Sequence, residues 1–296
     1  MVALMDQVLL VRPFIRLIRS LSVYSEAMKE REKPRDRTPL YDAMSAWRPA
    51  VGMLLKRGNR PTELQGIGTC FLVTYERVPF LVTALHNLDE FRKGDTLDIW
   101  FDGIVFPLEQ VGFVPSIEDD LAVAWFDWEA ALACAVRSDP AGTPYDTWLA
   151  RVTTLLESAI EIESSIDGAV RDFGLLGFPG SRNVLYFQPG KPVTAEMFAI
   201  TFDLLGISRD PDGEFEKLYF GYKEGAHRVP SAKGLSGSPV IGLVPGLEEG
   251  TFRPALWAVA VKRFTSEGVL VGVYVSKVIS LLDRTVAKIH EAMQSA

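Results

Sequence analysis

Apolar positions along this chain change period three times, and the changes divide it into segments. From residue 46 to about 128, short runs rich in Val, Ile, Phe and Leu are separated by turn residues, as in "GTCFLVTYERVPFLVTALH", "DTLDIWFDGIVFPLEQVGFV" and "DDLAVAWF". Such runs predict β-strands divided by tight turns. Residues 129–168 change character: "WEAALACAV" and "YDTWLARVTTLLESAIEI" have helical or mixed spacing and predict a connector with at least one helix. Strand signals resume over 169–274, from "RDFGLLGFPG" through "SPVIGLV" and "ALWAVAVKRF" to "VLVGVYV". In the last stretch, 275–296, Val278, Leu281, Leu282, Val286 and Ile289 recur at i, i+3, i+4 and predict a closing helix. The chain thus reads as two β-rich halves of similar size, which as all-β lobes form sandwiches or barrels.

Residues 1–45 stand apart as a helical extension and linker. Leu9, Leu10, Phe14, Leu17 and Ile18 against Arg12, Arg16 and Arg19 fit an amphipathic helix. The late arginines and the early Asp6 do not fit a secretory signal. Residues 25–40, "SEAMKEREKPRDRTPL", are a charged, proline-broken linker.

Four limits follow from composition and spacing. Lys and Arg total 31 against 38 Asp and Glu, a net charge of -7, so a nucleic-acid partner is not expected. The two cysteines, Cys70 and Cys134, fit free thiols in a reducing compartment, and a cytoplasmic location is expected. No run is long enough to span a membrane, and membrane association is not expected. No His/Cys cluster has ligand spacing, so neither a metal nor another cofactor is expected.

The chemistry concentrates in "KGLSGSPVIG", residues 233–242, where Ser236 stands between turn residues. A serine hydroxyl is a poor nucleophile without an adjacent base, itself oriented by a third group. Of the three histidines, His290 lies on the closing helix, His227 in a loop nine residues before Ser236, and His86 where "FLVTAL" gives way to a turn. "GTCFLVTYERVPFLVTALHNL" resembles the histidine segment of the chymotrypsin-like serine peptidases, "DDLAVAWF" their acid segment, and "GLSGSPV" their nucleophile loop. The order His, Asp, Ser is also theirs, and the matches span roughly residues 46–280.

The resemblance implies two six-stranded antiparallel β-barrels, over 46–128 and 169–274, with the active site in the cleft between them. It implies Ser236 as nucleophile, His86 as general base and acid, and Asp120 as the orienting carboxylate. The backbone N–H groups of Gly234 and Ser236 would form the oxyanion hole. Asp119 competes with Asp120; alternation along a strand would point them to opposite faces, and the position before Leu-Ala-Val favours Asp120. The substrate pocket would be walled around Val229–Lys233 and Trp257–Ala260, with His227, Lys233, Ala258 and Ala260 as candidate lining.

Two departures from the secreted pattern matter. Leu235 stands where members activated by N-terminal cleavage carry an aspartate, so that switch is not expected. Asn87 follows the histidine where secreted relatives have a cysteine. The nearest flavour is the disulfide-free bacterial, stress-protease-like branch. The implied activity is peptide-bond hydrolysis through an acyl-enzyme, with a protein or peptide substrate and room for a regulatory protein partner. The alternative is an inert protein of the same fold that binds peptides or serves as a scaffold. An α/β-hydrolase elbow fits poorly, because Ser238 replaces its last glycine and a strand follows.

Overall fold

The computed structural model describes residues 38–57, 63–89, 97–107, 112–138, 142–162, 172–179, 184–186, 195–209, 215–222, 234–246, 248, 250–264 and 269–295. The expected N-terminal amphipathic helix lies outside them, as do His227 and Lys233.

Helix α1 (Thr38–Trp47) opens the described chain and packs Leu40, Ala43 and Met44 against the second lobe. A 3₁₀ turn containing Pro49 then delivers the chain into the first lobe. Its strands are β1 (Val51–Arg57), β2 (Glu63–Tyr75), β3 (Val78–Ala84), β4 (Leu97–Phe101), β5 (Ile104–Pro107), β6 (Phe113–Ser116) and β7 (Leu121–Trp125). They pair in the order β5-β4-β1-β2-β3-β7-β6. The β2–β3 hairpin turns on Glu76 and Arg77, both at positive φ, and the β4–β5 hairpin on Asp102 and Gly103, likewise at positive φ. Two left-handed residues in a two-residue loop match the twist of the flanking strands.

The expected connector holds two helices, α2 (Trp128–Ser138) and α3 (Tyr145–Glu157). Strand β8 (Ile160–Glu161) then lies parallel to β2. The second lobe is a closed barrel of six strands: β9 (Phe173–Gly177), β11 (Phe198–Arg209), β12 (Phe215–Tyr222), β13 (Pro239–Pro245), β14 (Phe252–Phe264) and β15 (Val269–Tyr274). The remaining strand, β10 (Val184–Tyr186), leaves this lobe and pairs with Glu63–Gln65 of β2, making the first sheet nine-stranded. The architecture is therefore two β lobes, the second closed and the first an open sheet along its described strands. Helix α4 (Val275–Ser295) closes the chain and contacts β6 and β7 of one lobe and β14 and β15 of the other.

Phe101, Phe106 and Phe126 stack edge-on in the first lobe, and Phe173, Phe202, Phe220 and Trp257 fill the barrel. The burial of β2 explains how the lobes meet. Its first residues alternate between half-buried and buried, and then Gly68 is followed by five fully enclosed positions, Thr69–Val73. A strand enclosed on both faces loses the alternating pattern, and here the second enclosing layer includes the second lobe, as the Phe178 N–H donating to Thr69 Oγ1 at 3.0 Å illustrates.

Candidate active site

The apolar run of β3 ends at Ala84, and Leu85–Leu88 form a 3₁₀ turn that carries His86 out of the sheet. Asp120 sits in the turn between β6 and β7 with φ 55°, a left-handed conformation that aspartate tolerates better than most residues. This turn brings Asp120 against the His86 turn at three points. Its carbonyl accepts the Leu85 N–H at 2.8 Å. Its Oδ1 accepts the His86 backbone N–H at 3.0 Å, and its Oδ2 lies 2.7 Å from His86 Nδ1. A carboxylate oxygen accepts, so Nδ1 carries a proton, and in the neutral ring that leaves the lone pair on Nε2. Asp119 instead takes the Ser116 hydroxyl at 2.6 Å. The two carboxylates are separated by a turn, not by the strand alternation the sequence suggested.

Ser236 comes from the second lobe. Leu235 before it is buried in the barrel core, which anchors the loop on that side. Gly237 after it has φ 86°, and a Cβ there would lie 1.9 Å from the Thr69 carbonyl oxygen. Only glycine meets both demands. The turn is closed by Gly237 N–H donating to Ala260 O at 2.7 Å and Ser238 N–H to Leu235 O at 3.1 Å. Among the described residues, no acceptor meets the N–H of Gly234 or Ser236. Gly234 has φ 98°.

The Ser236 hydroxyl donates to Val261 O at 3.4 Å, a long bond, and makes none to His86. Val261 is the extra residue of a β-bulge: Ala260 pairs with Gly272 and Lys262 with Val271. Bulges re-aim backbone groups beside functional sites. Burial counts against two of the residues expected to line the pocket. Ala258 and Ala260 are both fully buried with the barrel core, so neither presents surface to a substrate. Ala260 instead holds the Ser236 loop through its backbone, its carbonyl accepting the Gly237 N–H at 2.7 Å and its N–H donating to Ser238 O at 2.9 Å.

The sequence assigns no contact to Thr69, Thr83 or Asn87, all buried. The signal was present: two threonines and an asparagine interrupt otherwise apolar runs, and buried polar groups are seldom left without partners. Asn87 Nδ2 donates to Ser236 O at 2.9 Å, so the residue next to His86 touches the backbone of Ser236. Cys70 is a free, buried thiol whose pKa is pushed up by burial. Among the described residues no cluster of His, Cys, Asp or Glu is placed to hold a metal ion, and no helix is long and apolar enough to cross a membrane.

No protein-family model matches the chain, and no curated protein matches it. Among solved structures it is similar to the Rv3671c protease of M. tuberculosis in its active form, with 13% identity, 85% of this chain and 87% of that chain covered, and a TM-score of 0.48. The inactive form of that protease gives 13% identity, 86% and 97% coverage and a TM-score of 0.47. A thermostable serine protease, AL20, from an extremophilic microorganism gives 16% identity, 77% and 92% coverage and a TM-score of 0.41. At these scores the backbones overlap only in part, and the chemistry is read from this chain's own residues.

Proposed function

We propose that this protein is a serine endopeptidase that cleaves peptide bonds through an acyl-enzyme. The observation that carries the reading is the convergence of two lobes on one point. Asp120 grips the His86 turn by ring and backbone, and the next residue of that turn bonds the carbonyl of Ser236. A solvated surface histidine needs no such grip.

In the proposed cycle the Ser236 hydroxyl rotates from Val261 O toward His86 Nε2, a change between staggered rotamers. Nε2 takes the proton as Oγ attacks the scissile carbonyl. Asp120 holds the ring in the required tautomer and stabilises the imidazolium that forms. The N–H groups of Gly234 and Ser236 receive the developing oxyanion; one such donor contributes about 3 kcal/mol in the transition state. His86 then protonates the leaving amine, and water repeats the sequence to release the acid and restore Ser236. Leu235 in the barrel core leaves no carboxylate beside the nucleophile to pair with a newly cut N-terminus, which supports a loop set without zymogen cleavage.

The test is labelling with a fluorophosphonate probe in wild type, Ser236→Ala and His86→Ala proteins. Labelling of wild type that is lost in Ser236→Ala and strongly slowed in His86→Ala is expected. Labelling that persists in Ser236→Ala would refute the site. A folded wild type that never labels or hydrolyses peptides would favour the inert peptide-binding scaffold.

A further inference from the structure

We infer that Asn87 and Thr69 are positioning residues for Ser236, clamping its backbone to the lobe that carries the base. The catalytic meaning of this clamp rests on the hydrolase reading above. Every polar group of Thr69 is engaged. Its N–H donates to Ser236 O at 2.9 Å, and its hydroxyl donates to Gly234 O at 2.7 Å. The same hydroxyl oxygen accepts the Phe178 N–H at 3.0 Å, and its carbonyl accepts the Thr83 hydroxyl at 2.8 Å. Asn87 Nδ2 donates to Thr83 Oγ1 at 3.1 Å as well as to Ser236 O. Its amide sits over Gly68, where a Cβ would come within 2.3 Å of Asn87 Cγ. Glycine at 68 therefore leaves the room that the amide occupies.

The consequence is geometric. The Ser236 carbonyl takes two donors from the first lobe, one from the backbone of β2 and one from the His86 turn. Fixing that carbonyl fixes the Ser236–Gly237 peptide, whose N–H is in turn held by Ala260 O. Thr69 holds the Gly234 carbonyl in the same way, so the two residues whose N–H groups face the proposed oxyanion are both tied to one first-lobe threonine. Base and nucleophile come from different lobes, and their separation depends on how those lobes dock. Asn87, adjacent to His86, converts that docking into a direct hydrogen bond. Neither residue is placed to react, so the effect belongs in kcat and not in KM. A displacement on the order of 1 Å at a reacting group costs about 100-fold.

The experiment uses the full chain. Asn87→Leu keeps approximate shape and removes the donor without adding charge. It is expected to lower kcat for a peptide substrate about 10- to 100-fold with KM within about threefold. Thr69→Val is expected to do the same, and Thr69→Ser, which keeps the hydroxyl, to restore most of the rate. If Asn87→Leu fails to fold, the Thr69 pair carries the same comparison.

A second readout needs no peptidase activity. In a Ser236→Cys protein that also carries Cys134→Ser, iodoacetamide alkylation of the new thiol reports how well His86 draws its proton. Adding Asn87→Leu is expected to slow that alkylation at least about fivefold. If wild type hydrolyses nothing yet the alkylation responds to Asn87→Leu, the clamp stands and the peptidase reading falls. Unchanged alkylation, or kcat in Asn87→Leu within about twofold of an active wild type, overturns the clamp.

Discussion

Asp120→Asn puts the orienting role to its sharpest test, because the two-point grip on His86 leaves the amide no harmless orientation. Asparagine keeps one acceptor oxygen and adds one NH₂ group. The His86 backbone N–H, 3.0 Å from Oδ1, requires an acceptor. The amide nitrogen is then placed at the Oδ2 position, 2.7 Å from His86 Nδ1. Two donors would face each other, so the ring proton moves to Nε2, the atom that must accept the serine proton. Restoring the productive tautomer forfeits a charge-assisted hydrogen bond and creates a donor–donor contact, together about 4 kcal/mol. That corresponds to roughly 10³-fold in rate. A fully buried acid of this kind loses about 10⁴-fold; the Asp120 side chain is 38% exposed, and water relieves part of the conflict. The assay is the rate of fluorophosphonate labelling, with urea unfolding alongside to confirm that stability changes by less than about 1 kcal/mol. Labelling within about threefold of wild type would refute the orienting role. A larger loss in Asp119→Asn, whose carboxylate takes the Ser116 hydroxyl, would reverse the assignment of the two carboxylates.

Four further outcomes follow from individual contacts in the structure. Gly237→Ala drives a Cβ to 1.9 Å from the Thr69 carbonyl oxygen at φ 86°, so a loss of about 3 kcal/mol or more is expected by urea unfolding; wild-type stability would contradict the loop geometry. Leu235→Asp buries an unpaired carboxylate in the barrel core, with an expected cost of about 3–5 kcal/mol; a variant unfolding at the wild-type midpoint would show that the loop is not seated there. Tyr75 donates to Asp283 Oδ1 at 2.5 Å, and this bond, then burial and the nearby acidic charges, push its pKa up to about 12 from 10.0. Because the folded-state value is raised, the stabilisation is fully present below pH 10 and is lost as pH rises toward about 12. Tyr75→Phe should therefore be less stable than wild type at neutral pH and show a shallower decline across that window; parallel curves would argue against the bond. The buried Cys70 thiol should resist iodoacetamide in the native protein and react once urea unfolds it; rapid native alkylation would overturn its placement.

The residues proposed for the site stand out in the sequence because each ends or interrupts a strong apolar run. His86 closes "FLVTAL", Asp120 opens "LAVAWF" and Ser236 precedes "PVIGLV". The position before Leu-Ala-Val favours Asp120 over Asp119, and alternation sets the two on opposite faces of a strand; the structure instead puts both in one turn with Asp120 left-handed, a conformation no alternation pattern announces. Ala258 and Ala260 lie buried in the barrel core, and spacing along a strand does not say which face a closed barrel encloses. Strand β10 was legible as a strand signal but not as a member of the first sheet. Three residues carry too little pattern to name a partner more than 100 positions away. The polar clamp at Thr69, Thr83 and Asn87 had only a weak signal, because one polar residue in an apolar run says that a partner exists without naming it.

The borrowing of β10 by the first sheet has a consequence for how the protein is made. Synthesis runs from the N-terminus, and domains ordinarily fold as units as they emerge. Here the first lobe cannot complete its sheet until residue 186 is available, since both β8 and β10 pair with β2. Its β6–β7 face waits longer still, for the helix that begins at Val275. By then Ser236 has already left the ribosome. Lobe completion and seating of the Ser236 loop are thus both expected late in synthesis, and a chain cut before Val184 would leave the first residues of β2 without their β10 partner.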